Sequence, residues 1–182
     1  MGVKEPTRQT YYVLRSKSLL GQLRETFNTL NSGRGKKVHR ENSSPRKSLP
    51  DFSEHNCSLV GVSLRMLCRG SPNPCAAIAI PTLDDIRTLN NEKSFSGPVE
   101  PLHKGSREQG AMNLIGCCTR ETIGYVTAGD YSFARGGGAG LGFCILQGLL
   151  KVVEIIEESN EFIVLVRNTT TQQYRFAYLT VI

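Results

Sequence analysis

The sequence predicts an α+β fold, mainly β: a small C-terminal β-barrel or sandwich, with an N-terminal amphipathic helix and a disordered basic loop. Three observations carry this. Apolar residues recur at helical spacing over about 16–31. Residues 32–50 (SGRGKKVHRENSSPRKSLP) are almost free of apolar side chains. From Ser58 onward, short β-branched runs alternate with Gly/Pro/Asn turn clusters, the pattern of a small barrel or sandwich.

The elements follow in order. Leu19, Leu20, Leu23, Phe27 and Leu30 form one stripe, with Lys17, Arg24 and Glu25 between them, and Gly33 and Gly35 end the helix. The stripe is read as core-facing in preference to a partner-binding face. Residues 32–50 bury too little surface to offset their ordering entropy and form a flexible basic segment, with Ser44-Pro45 as a candidate phosphorylation site. Ser58 to Cys68 reads as a strand, Gly70 to Pro74 as a turn, and Cys75 to Ile80 as a short buried strand. Pro81-Thr82 opens a helix whose Asp84 and Asp85 suit its positive end. Residues 91–110 read as a loop. Met112 to Cys118 and Thr122 to Ala128 are strands, and Gly129 to Gly142, with six glycines, is a loop. Phe143 to Glu157 holds a long β-branched run that begins as a strand. Ser159-Asn160 turns, Phe162 to Val166 is a strand, and Tyr174 to Val181 alternates as the last. The expected units are 1–31, a helical N-terminal segment; 32–56, a flexible basic linker; and 57–182, a β-rich domain.

The 182 residues carry 22 Lys+Arg and 16 Asp+Glu, a net charge of +6. The charge is unevenly placed. Residues 1–49 hold 11 basic and 3 acidic residues, a local +8, and residues 50–182 hold 11 and 13, a local −2. Composition excludes collagen, coiled coil and wholesale disorder, and without a run of about 18 apolar residues no membrane-spanning chain is expected. The N-terminus lacks the apolar core of a secretory signal, and Pro6 stands where a myristoylation signal needs Ser or Thr. Cys57, Cys68, Cys75, Cys117, Cys118 and Cys144 are therefore expected to be reduced and mostly buried. With His39, His55 and His103 scattered, no zinc spacing is present.

Self-contained catalytic motifs are missing. The run Gly136 to Gly142 fits no G-x-G-x-x-G register, no Walker sequence occurs, and an apolar strand-like stretch follows the glycines where a phosphate-binding helix is needed. Gly61-Val62-Ser63-Leu64-Arg65 fails as a nucleophile elbow, and the acidic pairs Asp84-Asp85 and Glu157-Glu158 read as a helix start and a solvated turn. No cofactor is implied. What the residues do offer is Arg34, Lys36, Lys37, Arg40, Arg46 and Lys47 within fourteen positions, a tract that can neutralise RNA phosphates without reading bases, or serve as a solvated loop or nuclear localisation signal.

The second half also carries a recognisable pattern: Ile123 to Ser132 (IGYVTAGDYS), Gly140-Leu141-Gly142-Phe143, Val164 to Asn168 and Tyr174-Arg175, with Arg69-Gly70-Ser71-Pro72, Cys75 to Ile78 and Pro81 upstream. It resembles the C-terminal region of the largest protein subunit of eukaryotic ribonuclease P and ribonuclease MRP, over about residues 57–182. The G-x-V-T-x-G element, Gly124 to Gly129, is similar to the terminal barrel of the aminomethyltransferases. Family members are much longer, so this sequence looks like a fragment or short isoform.

The resemblance implies a non-catalytic RNA-binding scaffold of particles whose RNA performs the hydrolysis, in tRNA 5′-leader removal and rRNA processing. Its partners would be ribonuclease P RNA, MRP RNA and the other protein subunits, in the nucleus and nucleolus, with no membrane. Gly124, Thr127, Gly129, Gly140 and Gly142 become structural motif residues: Gly124 for close strand approach, Gly129 for a turn with positive φ. Arg167, after an apolar strand, is expected to project from the rim toward RNA phosphate or a carboxylate such as Glu161. Two further readings stand beside this one: a folate-binding or aminomethyltransferase-like barrel, and a protein–protein interaction module.

Overall fold

A computed structural model describes residues 11–31, 52, 55, 57–92, 94–101, 118–156 and 162–182. The elements are β1 (Tyr12–Val13), α1 (Lys17–Asn31), β2 (Ser58–Met66), β3 (Ala77–Ala79), α2 (Leu83–Asn91), β4 (Thr122–Ser132), β5 (Gly137–Ile145), α3 (Leu146–Ile156), β6 (Ile163–Arg167) and β7 (Arg175–Val181). A single 3-10 turn, Phe133–Arg135, joins β4 to β5. Strand order is β1-β2-β5-β4-β3-β6-β7, and β7 pairs back onto β2. Six strands thus close an antiparallel barrel. One edge of β2 serves two partners: Val62 to Met66 pair with β7, and Ser58-Leu59 pair in parallel with β1. No helix among the described residues is long and apolar enough to cross a membrane.

Period-two alternation fills the barrel. On β2, Val60, Val62, Leu64 and Met66 are buried, while Leu59, Gly61, Ser63 and Arg65 point outward. β6 (IVLVR) is buried along its whole length because both faces are covered. Val164 and Val166 join the barrel core; Ile163 and Leu165 join a second cluster outside, with Tyr174 and Phe176, packed under Leu89 of α2 and Phe95. α2 is started by a capping box, in which Thr82 Oγ1 accepts from the Asp85 N–H and the Asp85 carboxylate accepts from the Thr82 N–H.

α1 and α3 pack at the barrel end where β2 begins and β5 and β7 finish. Leu23 and Phe27 of α1, and Leu146, Leu149, Val152 and Val153 of α3, belong to the barrel core. The stripe on α1 is thus core-facing at Leu19, Leu20, Leu23 and Phe27, and the Phe27 ring lies 4.1 Å from that of Phe162, centroid to centroid.

Several expectations are corrected. Gly129 to Gly142 is not a loop. It forms the paired ends of β4 and β5, with Gly129 opposite Gly140 and Ser132 opposite Gly137. The β-branched run after Ile145 is helix α3, whose Leu146, Leu149 and Val153 recur at helical spacing against exposed Gln147, Lys151 and Glu154. The cysteines are free but not mostly buried: of the five described, Cys144 is buried, Cys57, Cys68 and Cys118 are half-buried, and Cys75 is exposed. The strand expected over Met112 to Cys118 (save Cys118 itself), the disordered basic loop, the Ser159-Asn160 turn and Cys117 lie outside the described residues.

Candidate functional site

The barrel end opposite α1 and α3 is closed by a turn rather than by side chains. Gly138, Gly140, Gly142 and Cys144 are the inward positions of β5. Three of these four positions carry no Cβ, and the turn Arg69–Cys75 enters the space they leave. A methyl group on Gly138 would overlap the Gly70 carbonyl oxygen; one on Gly140 would lie 2.9 Å from Pro72 Cγ; one on Gly129 would overlap the Pro72 carbonyl. Pro72 is buried accordingly. Inside the turn, the Ala76 N–H donates to Asn73 O (3.1 Å) and the Cys75 N–H to Val126 O (2.8 Å), with Cys75 held at φ 65°.

Two side chains from distant strands hold this plug. Asn168, just past β6, accepts from the Asn73 N–H (2.9 Å) and donates to Ser71 O (3.1 Å). The Arg175 guanidinium, at the start of β7, donates to Arg69 O and lies against Gly70, whose φ of 117° no side chain would tolerate cheaply. The motif residues Arg69 to Pro72, Gly140, Asn168 and Arg175 thus meet at one barrel mouth.

Beside the mouth lies a buried polar cluster. Arg167 Nη2 donates to Cys118 Sγ (2.9 Å) and its guanidinium sits 5.4 Å from the Tyr174 ring centre. The Tyr174 hydroxyl donates to Glu100 Oε2 (2.7 Å), while Glu100 Oε1 accepts from the Thr119 N–H (2.8 Å). Burial first, and then the Glu100 hydrogen bond, push the Tyr174 phenol well above its ordinary range. Burial likewise raises the Cys144 thiol. Neither group is prepared as a base or nucleophile. Next to them Arg120 makes a two-pronged pair with Asp85 at 2.8 and 2.9 Å. Burial raises the Asp85 carboxyl, but the Arg120 and Thr82 hydrogen bonds outweigh it and hold it below the usual range. No cluster of three metal-ligating side chains occurs among the described residues.

The residues expected to act fall in three places. Arg34, Lys36, Lys37, Arg40, Arg46 and Lys47, and Glu161, lie outside the described residues. Arg167 does not project from the rim. It is 3% exposed, because the strand end that carries it is covered by Cys118 and the Tyr174 ring. The glycines stand at close approaches. A Cβ on Gly124 would overlap the Phe143 carbonyl of the neighbouring strand, and Gly142 packs against Tyr125 O. Gly129 has no positive φ; its requirement is the Pro72 backbone above it, and the left-handed position is Gly136 (φ 63°) in the hairpin turn. Thr127 sits at a shift in β4 register, where its hydroxyl donates to Leu141 O (3.1 Å). Asn168 and Arg175 were visible only as letters of a motif; their clamp on a turn some hundred residues earlier left no local signal.

A family model described as the POP1 C-terminal domain matches residues 58–115 and 108–182. The chain is also similar to the human protein "Ribonucleases P/MRP protein subunit POP1", with 29% identity over 168 residues. That match covers 68% of this chain and 16% of the human protein's length.

Proposed function

The chain belongs to the POP1 C-terminal domain family, and from that premise we propose that it is a non-catalytic RNA-binding scaffold component of ribonuclease P and ribonuclease MRP particles. It would act in tRNA 5′-leader removal and rRNA processing, with ribonuclease P RNA, MRP RNA and the other protein subunits as partners, in the nucleus and nucleolus. The carrying observation is the match itself, which spans the whole β-rich body. Two features support the non-catalytic part. Tyr174, Glu100 and Asp85 are held in structural bonds, and burial keeps Tyr174 and Cys144 protonated. A third supports RNA contact: the local +8 of residues 1–49 against −2 for the rest.

In this reading 57–182 is the particle-bound body, 1–31 its helical N-terminal segment and 32–56 a basic linker. The linker's flanks are anchored: α1 enters the barrel core through Leu23 and Phe27, and β2 is a barrel strand. RNA sequencing after immunoprecipitation of the tagged chain tests the reading. Enrichment of the two particle RNAs supports it; partners recovered equally after nuclease digestion, with no RNA, favour a protein–protein module. Gln at Arg34, Lys36, Lys37, Arg40, Arg46 and Lys47 should lower RNA recovery, and unchanged recovery would remove the basic linker from the account.

A further inference from the structure

The basic side chains of the barrel body divide by position. Arg87 pairs with Asp84, Arg120 with Asp85 and Lys151 with Glu121, and Arg167 is buried. Arg65, Arg69, Arg135 and Arg175 have no carboxylate partner among the described residues, and all four stand at the barrel mouth. Arg65 is the exposed residue before the end of β2, and its guanidinium lies 4.9 Å from the Tyr178 ring centre. Arg69 opens the plugging turn, and Arg175 reaches its carbonyl from the start of β7. Arg135 closes the turn between β4 and β5, and Gly138 just after it rests against Gly70. Asp130, the sole acidic residue of β4 and β5, turns its carboxylate to the Tyr131 N–H (2.7 Å). The hairpin end also carries an aromatic pair: Phe133 is 92% exposed and meets the Tyr131 ring edge-on, centroids 5.3 Å apart.

Unpaired guanidinium groups around one opening set a positive field at one end of a body whose net charge is −2. Guanidinium forks suit phosphate oxygens, and exposed rings offer a face on which unpaired bases stack. An acidic protein segment would match the arginines and leave the Phe133 ring in water. An apolar protein pocket would cover the ring and leave the arginines unmatched. An unpaired stretch of RNA supplies phosphates and base faces together. We propose that the barrel mouth is an RNA-binding surface separate from the basic linker, with Arg65, Arg69 and Arg135 on phosphates of an unpaired stretch and a base stacked on Phe133. Arg175 is its positioning residue, since it holds the backbone that carries Arg69. The proposal rests on the RNA-particle reading above.

The test uses the full tagged chain in cells fed 4-thiouridine, with RNA crosslinked by light and the crosslinked peptides mapped by mass spectrometry. Crosslinks are expected within 65–69 or 131–135. The double variant Arg69→Gln with Arg135→Gln removes two charges and keeps the Arg69 carbonyl for its clamp. It should cut those crosslinks several-fold, and so should Phe133→Leu, which stays apolar but cannot stack. Phe133→Tyr keeps a stacking ring and should crosslink like wild type. All three side chains are exposed, so thermal melting should not move. If particle RNA is recovered but crosslinks map only elsewhere, or the variants crosslink like wild type, the mouth proposal is overturned and the RNA reading stands. Loss of a partner protein from these variants with crosslinks unchanged overturns it in favour of a protein-docking face. If the wild-type chain recovers no RNA, the RNA reading itself falls and takes the mouth proposal with it.

Discussion

The Asn168 side chain accepts a hydrogen bond from the Asn73 backbone N–H at 2.9 Å across 95 positions of sequence. Its amide group returns a bond to Ser71 O at 3.1 Å. One side chain therefore satisfies both sides of a turn that occupies the barrel mouth. Asn168→Ala should cost about 1–3 kcal/mol, since it leaves a partly buried carbonyl without a partner and frees the turn. Asn168→Asp keeps the acceptor and loses the donor, so it should fall between the two in urea unfolding. Equal stability of all three would show that the plug holds without its clamp.

Adjacent glycines on β5 should respond oppositely to the same methyl group. A Cβ on Gly138 overlaps the Gly70 carbonyl, whereas one on Gly137 meets nothing within 4 Å. Gly138→Ala should destabilise by about 1–3 kcal/mol, the cost of overpacking a fixed backbone. Gly137→Ala should stay within about 0.5 kcal/mol of wild type. Paired thermal melts decide it.

That contrast also explains which parts of the fold were readable. β2 alternates buried with more exposed positions, β7 mixes aromatic with aliphatic residues, and β6 shows a continuous apolar run, so all three are visible as strands in letters. β5 repeats with the same period, but its inward letters are Gly138, Gly140 and Gly142, and a residue without a side chain gives no hydrophobic signal. α3 was obscured by Val152, Val153, Ile155 and Ile156, whose β-branching argues for strand. Tertiary packing of its apolar face decided for helix. The Asn168 and Arg175 clamps depend on barrel closure, which brings β6 and β7 back to the turn after β2. No local pattern encodes that.

The Asp85–Arg120 pair predicts an acid-side loss of stability. The Asp85 carboxyl is held below its ordinary 3.8 in the folded chain. A depressed folded value means that the unfolded chain takes up the proton first as pH falls. The stabilisation is therefore full well above 3.8 and is lost as pH drops through the lower folded value. Asp85→Ala should cost about 1–3 kcal/mol at pH 7, through the cap and the half-buried guanidinium it leaves unpaired. Its deficit should shrink in urea titrations near pH 3; a deficit independent of pH would assign the effect to packing alone.

Tyr174 makes the opposite prediction at high pH. Its phenol is raised above the ordinary value of 10.0, by burial and then by the Glu100 bond. A raised folded value keeps the proton on while the unfolded chain loses it, so this stabilisation is present below 10 and declines as pH rises beyond it. Tyr174→Phe should cost about 1–2 kcal/mol at pH 7 by depriving buried Glu100 of a donor, and should flatten part of the alkaline decline. Wild type and variant losing stability in parallel from pH 9 to 11 would contradict the proton's role.

Helix α1 is the remaining long-range dependence. Residues 32–57 separate it in sequence from the first barrel strand, yet Leu23 and Phe27 lie in the same core as Val60, Val181 and Phe162. The Phe27 and Phe162 rings are tilted at 54° with centroids 4.1 Å apart, so truncating Phe27 opens a cavity among residues that strands on both sides hold fixed. Phe27→Ala should therefore cost about 3–5 kcal/mol. If α1 is an integral wall of the barrel, the loss should appear as a lower midpoint of one cooperative transition followed at both helix and strand wavelengths. If α1 were instead a separate unit resting on the barrel, the variant would release α1 early and leave the barrel's own midpoint unmoved. Hydrogen exchange at the β6 and β7 amides distinguishes the two directly: faster exchange there in Phe27→Ala identifies α1 as part of the core, and unchanged exchange places it outside.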